Sequence, residues 1–196
     1  GDHERPDGQR EMSTEQVLDI MRQLANAGCL AMIITGGDPL LRSDFGQVYR
    51  TAKLSGIDVS VYTSGTDVTD EVVELFRDLP PRVVEITIHG STAETFERIS
   101  GVKGSFRRVW EGIHRLHDGG VRLGLKTMLM TLNHHELGAM AGMASRLNGA
   151  TFLDVRAAST SRNSDATRSM RSAWQEMCRQ PRSASHTSAP ASSQNG

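Results

Sequence analysis

Short aliphatic and β-branched runs alternate along this chain with longer stretches whose apolar residues recur every three or four positions. The runs fall at 30–34, 57–63, 83–88, 121–130 and 150–155. Each follows a helix-period stretch, so the order reads α-β-α-β-α-β-α-β-α-β. Strict alternation of this kind dictates parallel strands joined by helical crossovers. Strand starts recur about every 25 to 40 residues, a unit length shared by barrels and doubly wound sheets. The runs are nearly continuous in apolar character, as expected of strands covered on both faces.

Local signals bound the helices. Ser13 and Gln16 fit a capping box, with Val17, Ile20, Met21 and Leu24 on one face and Gly28 as the stop. Phe45, Val48, Tyr49 and Ala52 repeat the spacing up to Gly56, and Val72, Leu75, Phe76 and Leu79 repeat it up to Pro80-Pro81. Ser91 and Glu94 read as a second capping box, ahead of Phe96 and Ile99. Phe106, Val109, Ile113 and Leu116 form the next face, and Asn133 with Glu136 reads as the cap for Leu137, Met140, Ala141 and Ala144.

The rhythm stops near Val155. Residues 1–156 therefore read as one barrel-like domain. Residues 157–196, rich in Ser, Arg and Ala with Pro181 and Pro190, read as a disordered low-complexity tail. The domain opens on a helix with no strand before it, so the expectation is a fragment of a larger protein, short at its front.

Composition excludes several classes. A net charge of -1 offers no field for nucleic acid, and 5% aromatic residues offer no base-stacking surface. No apolar run approaches the roughly 20 residues of a membrane helix. The polar opening, Gly1 to Glu11, resembles neither a signal nor a transit peptide, so a cytoplasmic location is the default. Cys29 and Cys178 make neither a disulfide framework nor a zinc site. Cys29, at a helix end, reads as a small buried apolar residue, and Cys178 as a free thiol.

In parallel α/β folds ligands gather at the carboxyl ends of the strands. Those ends carry Gly36-Gly37-Asp38, Thr63-Ser64-Gly65-Thr66, Thr87-His89-Gly90, Lys126-Thr127 and Asp154-Arg156. Adjacent glycines let the backbone approach a ligand closely. Lys126 interrupts an apolar strand and must face a polar cavity or an acid, since its lone burial is costly. It reads as a ligand anchor, a Schiff-base amine or half of a barrel-lining ion pair. Asp38 has two readings, rim residue or helix cap, and His89 two, pocket residue or solvent-facing turn. His114 with His117, and His134-His135-Glu136, lack the further ligands a metal needs. Charged residues on the polar helix faces read as solvated surface.

Thr35-Gly36-Gly37-Asp38-Pro39-Leu40-Leu41-Arg42 resembles the "TGGEP-LLR" element of radical S-adenosylmethionine (radical SAM) enzymes. In order after it, Val61 to Thr66 resembles their "TNGT" strand end and Val84 to Gly90 their "SLDG/SLHG" segment. Thr95 to Phe106 resembles a passage common in the peptide-maturase and molybdenum-cofactor cyclase branches. The resemblance, from about Met12 to Val155, implies a partial (β/α)6 TIM-like barrel, here truncated at the N-terminus with its first strand and cluster loop missing. It implies S-adenosylmethionine bound to the open iron of a [4Fe-4S] cluster, and a 5′-deoxyadenosyl radical acting on a peptide or small-molecule cofactor precursor. A reductant protein serves the intact enzyme. By position, Gly36, Gly37 and Asp38 fall to the amino group of S-adenosylmethionine, through backbone groups. Thr87 falls to its ribose or carboxylate, and Thr63 and Lys126 face the cavity.

Two departures stand out. The family's Cys-x3-Cys-x2-Cys loop is absent, and two distant cysteines cannot replace three thiolates. Asp38 and Ser64 stand where Glu and Asn are usual. The expectation is therefore a core without metal ligands, inactive as it stands. The competing readings are a Schiff-base lyase using Lys126 and a non-catalytic nucleotide-binding remnant.

Overall fold

The computed structural model describes residues 11–147 and the strand at 151–157. The elements are α1 (Thr14–Asn26), β1 (Ala31–Ile34), α2 (Phe45–Leu54), β2 (Asp58–Thr63), α3 (Asp70–Asp78), β3 (Val83–Thr87), α4 (Ala93–Ser100), α5 (Ser105–Asp118), β4 (Leu123–Leu129), α6 (Leu137–Arg146) and β5 (Thr151–Ala157). Short 3-10 turns at Pro39–Leu41 and His134–Glu136 precede α2 and α6. The tail expected to be disordered lies outside the described residues from 158 on; its first residue, Ala157, ends β5.

All strands are parallel, in the order β1-β2-β3-β4-β5. Each strand joins beside its predecessor, with no reversal at a switch point. That is the winding of a barrel and not of a doubly wound sheet.

Register and exposure divide the sheet into two faces. Val59, Val61, Val84, Ile86, Leu123 and Leu125 point outward and are buried under the helices. There they meet Val48, Tyr49, Phe76, Val109, Ile113 and Leu116. Phe45, Tyr49 and Phe76 form an aromatic cluster with ring centroids 5.1 to 6.1 Å apart. The Tyr49 hydroxyl, buried within it, donates to the Leu79 carbonyl at 2.7 Å. Inward point Ser60, Tyr62, Glu85, Thr87 and Lys126, placed together by the pairs Tyr62–Glu85 and Thr87–Lys126. The strands thus alternate between apolar and polar, which corrects the expectation of apolar character on both faces. Only the outer face carries the core; the inner face lines a lumen.

The first strand also departs from expectation. β1 pairs only with β2, Leu30 lies just outside it at 82% exposure, and Ile33 is 51% exposed. Among the described strands it is an edge, the kind of surface that invites association. Cys29 is half-buried at this edge, its thiol donating to the Ala31 carbonyl at 3.3 Å, and not packed in a core.

Of the capping boxes, the first forms: the Ser13 hydroxyl accepts from Gln16 N–H, and the Gln16 side chain from Ser13 N–H. The second is displaced. Thr92 caps α4, its hydroxyl accepting from Thr95 N–H, and Ser91 is drawn elsewhere. Asn133 and Glu136 make no side-chain cap for α6.

Candidate functional site

A cleft of about 430 Å³ opens where the strands end. The loop after β1 enters through Thr35, Gly36 and Gly37, the end of β2 through Tyr62 and Thr63, β3 through Thr87 and His89, and β4 through Lys126. Five of the six residues expected at the site therefore share one cavity. The sixth, Asp38, does not line it.

Asp38 turns its carboxylate into the protein. It accepts from Leu40 N–H at 3.1 Å, capping the 3-10 turn, from the Thr63 hydroxyl at 2.8 Å and from Ser64 N–H at 2.8 Å. The Ser64 hydroxyl donates to it as well. The carboxylate thus ties the loop after β1 to the end of β2. Thr63 is occupied in the same network, its hydroxyl also accepting from Gly65 N–H at 3.0 Å. Ahead of Asp38 the backbone is open: a Cβ built on Gly36 or Gly37 meets no atom within 4 Å.

Thr87 presents a hydroxyl with no hydrogen-bond partner among the described residues, half-buried at the cleft. His89 is a pocket residue. Its ring lies 5.3 Å from that of Phe96, its Nδ1 is buried without a partner among the described residues, and burial pushes its pKa down, which favours a neutral imidazole. Lys126 meets Glu85 with Nζ to Oε2 at 3.5 Å, and its ammonium lies 3.4 Å from the Tyr62 ring centroid. It is thus both a cavity residue and half of a barrel-lining ion pair. Thr127 points to the outer side, buried, with its hydroxyl unpartnered among the described residues. The side chains of Asp154 and Arg156 lie outside those described.

The strand ends alone did not disclose Arg108. On the first turns of α5, it lines the cleft exposed, with no acidic partner among the described residues. Its placement follows from Gly112, one turn on along the same helix face. A Cβ on Gly112 would lie 2.0 Å from the Gly65 carbonyl oxygen. Only glycine lets α5 sit on the loop after β2, and that contact swings Arg108 over the cleft. A glycine inside an otherwise strong helical pattern was the available signal.

The opposite wall is held from behind. Asn133, fully buried, accepts from Met130 N–H at 2.8 Å and donates to the carbonyls of His89 and Met128, each at 3.0 Å. Glu136 accepts from Ser91 N–H (2.5 Å), the Ser91 hydroxyl (2.9 Å), Thr92 N–H (3.2 Å), the Thr92 hydroxyl (3.1 Å) and the Thr95 hydroxyl. Burial pushes its carboxyl upward, but the donors outweigh that and bring it to about 2. Among the described residues, no group of His, Cys, Asp and Glu is placed to hold a metal ion.

Comparison with known proteins agrees with this geometry. The family model described as the Radical SAM superfamily matches residues 1–144. Similar curated proteins include the AdoMet-dependent heme synthase of Methanosarcina barkeri, 28% identical over 72% of this chain and 41% of its own length. The mycofactocin maturase MftC of Mycolicibacterium smegmatis is 30% identical over 80% of this chain and 40% of its own. The chain thus spans about two fifths of the length of these relatives. Among solved structures, Streptococcus suis SuiB bound to S-adenosylmethionine aligns with a TM-score of 0.69 at 13% identity, covering 87% of this chain and 41% of that one. That likeness shows the fold, a partial TIM-type barrel. A motif order read in sequence, a parallel sheet wound as a barrel and a match over most of the chain coincide: the chain belongs to the radical SAM superfamily.

Proposed function

We propose that this chain is the S-adenosylmethionine-binding part of a radical SAM enzyme that modifies a peptide or a cofactor precursor. One observation carries the reading: open glycine backbone and, without partners among the described residues, a hydroxyl and a guanidinium converge on a single cleft at the strand ends. The methionyl end of S-adenosylmethionine carries an ammonium and a carboxylate, and its ribose carries hydroxyls. Carbonyl groups at Gly36 and Gly37 suit the ammonium, Arg108 suits the carboxylate, and Thr87 suits a ribose hydroxyl or a second carboxylate contact. His89 Nδ1, buried and unpartnered, suits a further polar group of the same ligand. The Asp38 carboxylate and the Thr63 hydroxyl, engaged with each other and with neighbouring amides, keep the loops in place. Such a site binds the cofactor, orients it and excludes water from its reactive bond.

The family's second cofactor, a [4Fe-4S] cluster, does not fit the residues present. The sequence has two cysteines, and the described one, Cys29, lies at the β1 edge hydrogen-bonded to Ala31. By itself, on this reading, the chain is inactive in radical chemistry. The substrate class draws support from relatives with 25 to 30% identity: a PqqA peptide cyclase, MftC and an Fe-coproporphyrin III synthase. A Schiff-base lyase draws less support, because Lys126 faces the Glu85 carboxylate and the Tyr62 ring and not the desolvated apolar pocket that activates a nucleophilic amine.

The test is calorimetric titration of the chain with S-adenosylmethionine. The expected result is one site, with Arg108→Ala weakening it about tenfold or more, the scale of one lost charge-assisted hydrogen bond. Absence of saturable binding, or affinity indifferent to Arg108→Ala, overturns the reading.

A further inference from the structure

The inner face of the barrel carries a second recognition element, below the groups just assigned to S-adenosylmethionine. Lys126 points into the lumen from β4. Its ammonium has three hydrogens. Glu85 takes one side at 3.5 Å and the Tyr62 ring face another at 3.4 Å. Both partners are inward residues of neighbouring strands, set opposite each other by the β2–β3 register. The Glu85 side chain lies across Gly124, which leaves it room: a Cβ there would stand 3.2 Å from its Cγ. Held from two sides, the ammonium keeps its remaining direction for the cleft.

The otherwise polar lumen also offers apolar surface. On the same inner face, Ile33 of β1 and Met128 of β4 are 51% and 46% exposed, and neither belongs to the outer core. A fixed cation beside an aromatic ring, with an exposed Met128 two residues on along the same strand face, matches a carboxylate carried on an apolar body. We propose that Lys126 anchors a carboxylate of the substrate in this lumen, with Glu85 and Tyr62 as positioning residues. The proposal rests on the reading of the cleft as a cofactor site and adds the substrate's chemical class: an acid with an aromatic or aliphatic scaffold.

The sequence supplies its own reporter. There are two tyrosines, Tyr49 sealed in the outer core and Tyr62 under Lys126. In a chain labelled on the tyrosine rings, titration with 3-phenylpropionate should shift the Tyr62 signals saturably and leave those of Tyr49 unmoved. The neutral 3-phenylpropionamide should bind about tenfold more weakly, the scale of one charge-assisted contact. Lys126→Met should abolish the difference between acid and amide. The proposal is overturned if acid and amide shift Tyr62 equally, if neither does, or if Tyr49 moves in parallel. Because the titration needs no S-adenosylmethionine, a chain that binds that cofactor but not the acid refutes this inference alone. A chain that binds the acid but not the cofactor refutes only the cofactor reading.

Discussion

Replacing Glu136 by glutamine isolates the electrostatic component of one loop clamp. Its carboxylate, 9% exposed, gathers five donors from Ser91, Thr92 and Thr95, and its pKa falls from 4.5 to about 2. A tenfold change in proton affinity corresponds to about 1.4 kcal/mol, so at pH 7 the ionised form contributes about 3 kcal/mol to folding. Below the unfolded value of 4.5 the denatured chain takes up the proton while the native one resists, so the contribution shrinks as pH falls toward 2. At pH 3 about 1 kcal/mol of it remains. Urea unfolding followed by far-ultraviolet circular dichroism should therefore show Glu136→Gln less stable by about 3 kcal/mol at pH 7, narrowing to about 1 at pH 3. Asp44, also held at about 2 by the Arg42 guanidinium, adds acid sensitivity to both proteins equally and drops out of the difference. A gap below 1 kcal/mol at pH 7, or one that does not narrow in acid, would falsify the assignment of Glu136 as an ionised clamp.

Three further outcomes are expected. Gly112→Ala drives a methyl into the Gly65 carbonyl oxygen and should cost about 2 kcal/mol in urea unfolding, with weaker S-adenosylmethionine binding as α5 and Arg108 shift; a change within 0.5 kcal/mol refutes the close contact. Tyr49→Phe leaves the Leu79 carbonyl without its donor and should cost about 1 kcal/mol, with no effect on cofactor affinity in the same calorimetry. Anaerobic iron and sulfide reconstitution of the chain should yield no stable four-iron chromophore, and an absorbance near full stoichiometry shows the cysteine argument to be wrong.

The fold was legible because its determinants are local or periodic. Helix spacing, the Ser13–Gln16 box and the alternation of elements fix order and strand direction within a few residues. The division between faces was legible too in Ser60-Val61-Tyr62 or Val84-Glu85-Ile86, but β-branched density masked the alternation. The site was half legible. Strand ends disclose Gly36, Gly37, Thr87 and Lys126, because topology places them together whatever the packing. The cross-loop roles of the Asp38 and Glu136 carboxylates were not legible because their partners come from loops 25 and about 44 residues away, which no spacing rule reaches. Arg108 looked like one more solvated helix charge, since its aim depends on how closely α5 approaches Gly65.

Those two carboxylates explain how the rim is set. Asp38 joins the loop after β1 to the end of β2, and Glu136 joins the loop after β3 to the one after β4. Each bridges adjacent strand ends and is saturated by amides and hydroxyls. A buried carboxylate left short of donors would be costly, so each holds its loops in a single arrangement. Among the described residues, Thr87, His89 Nδ1 and Arg108 face the cleft without a hydrogen-bond or ion-pair partner, while Trp110 Nε1 and the Thr127 hydroxyl are unpartnered away from it. Satisfied structural acids behind a rim of unsatisfied ligand-facing groups make a preformed site. Cofactor binding should then reorganise little of the chain, because the ordering is already supplied by contacts the ligand never meets.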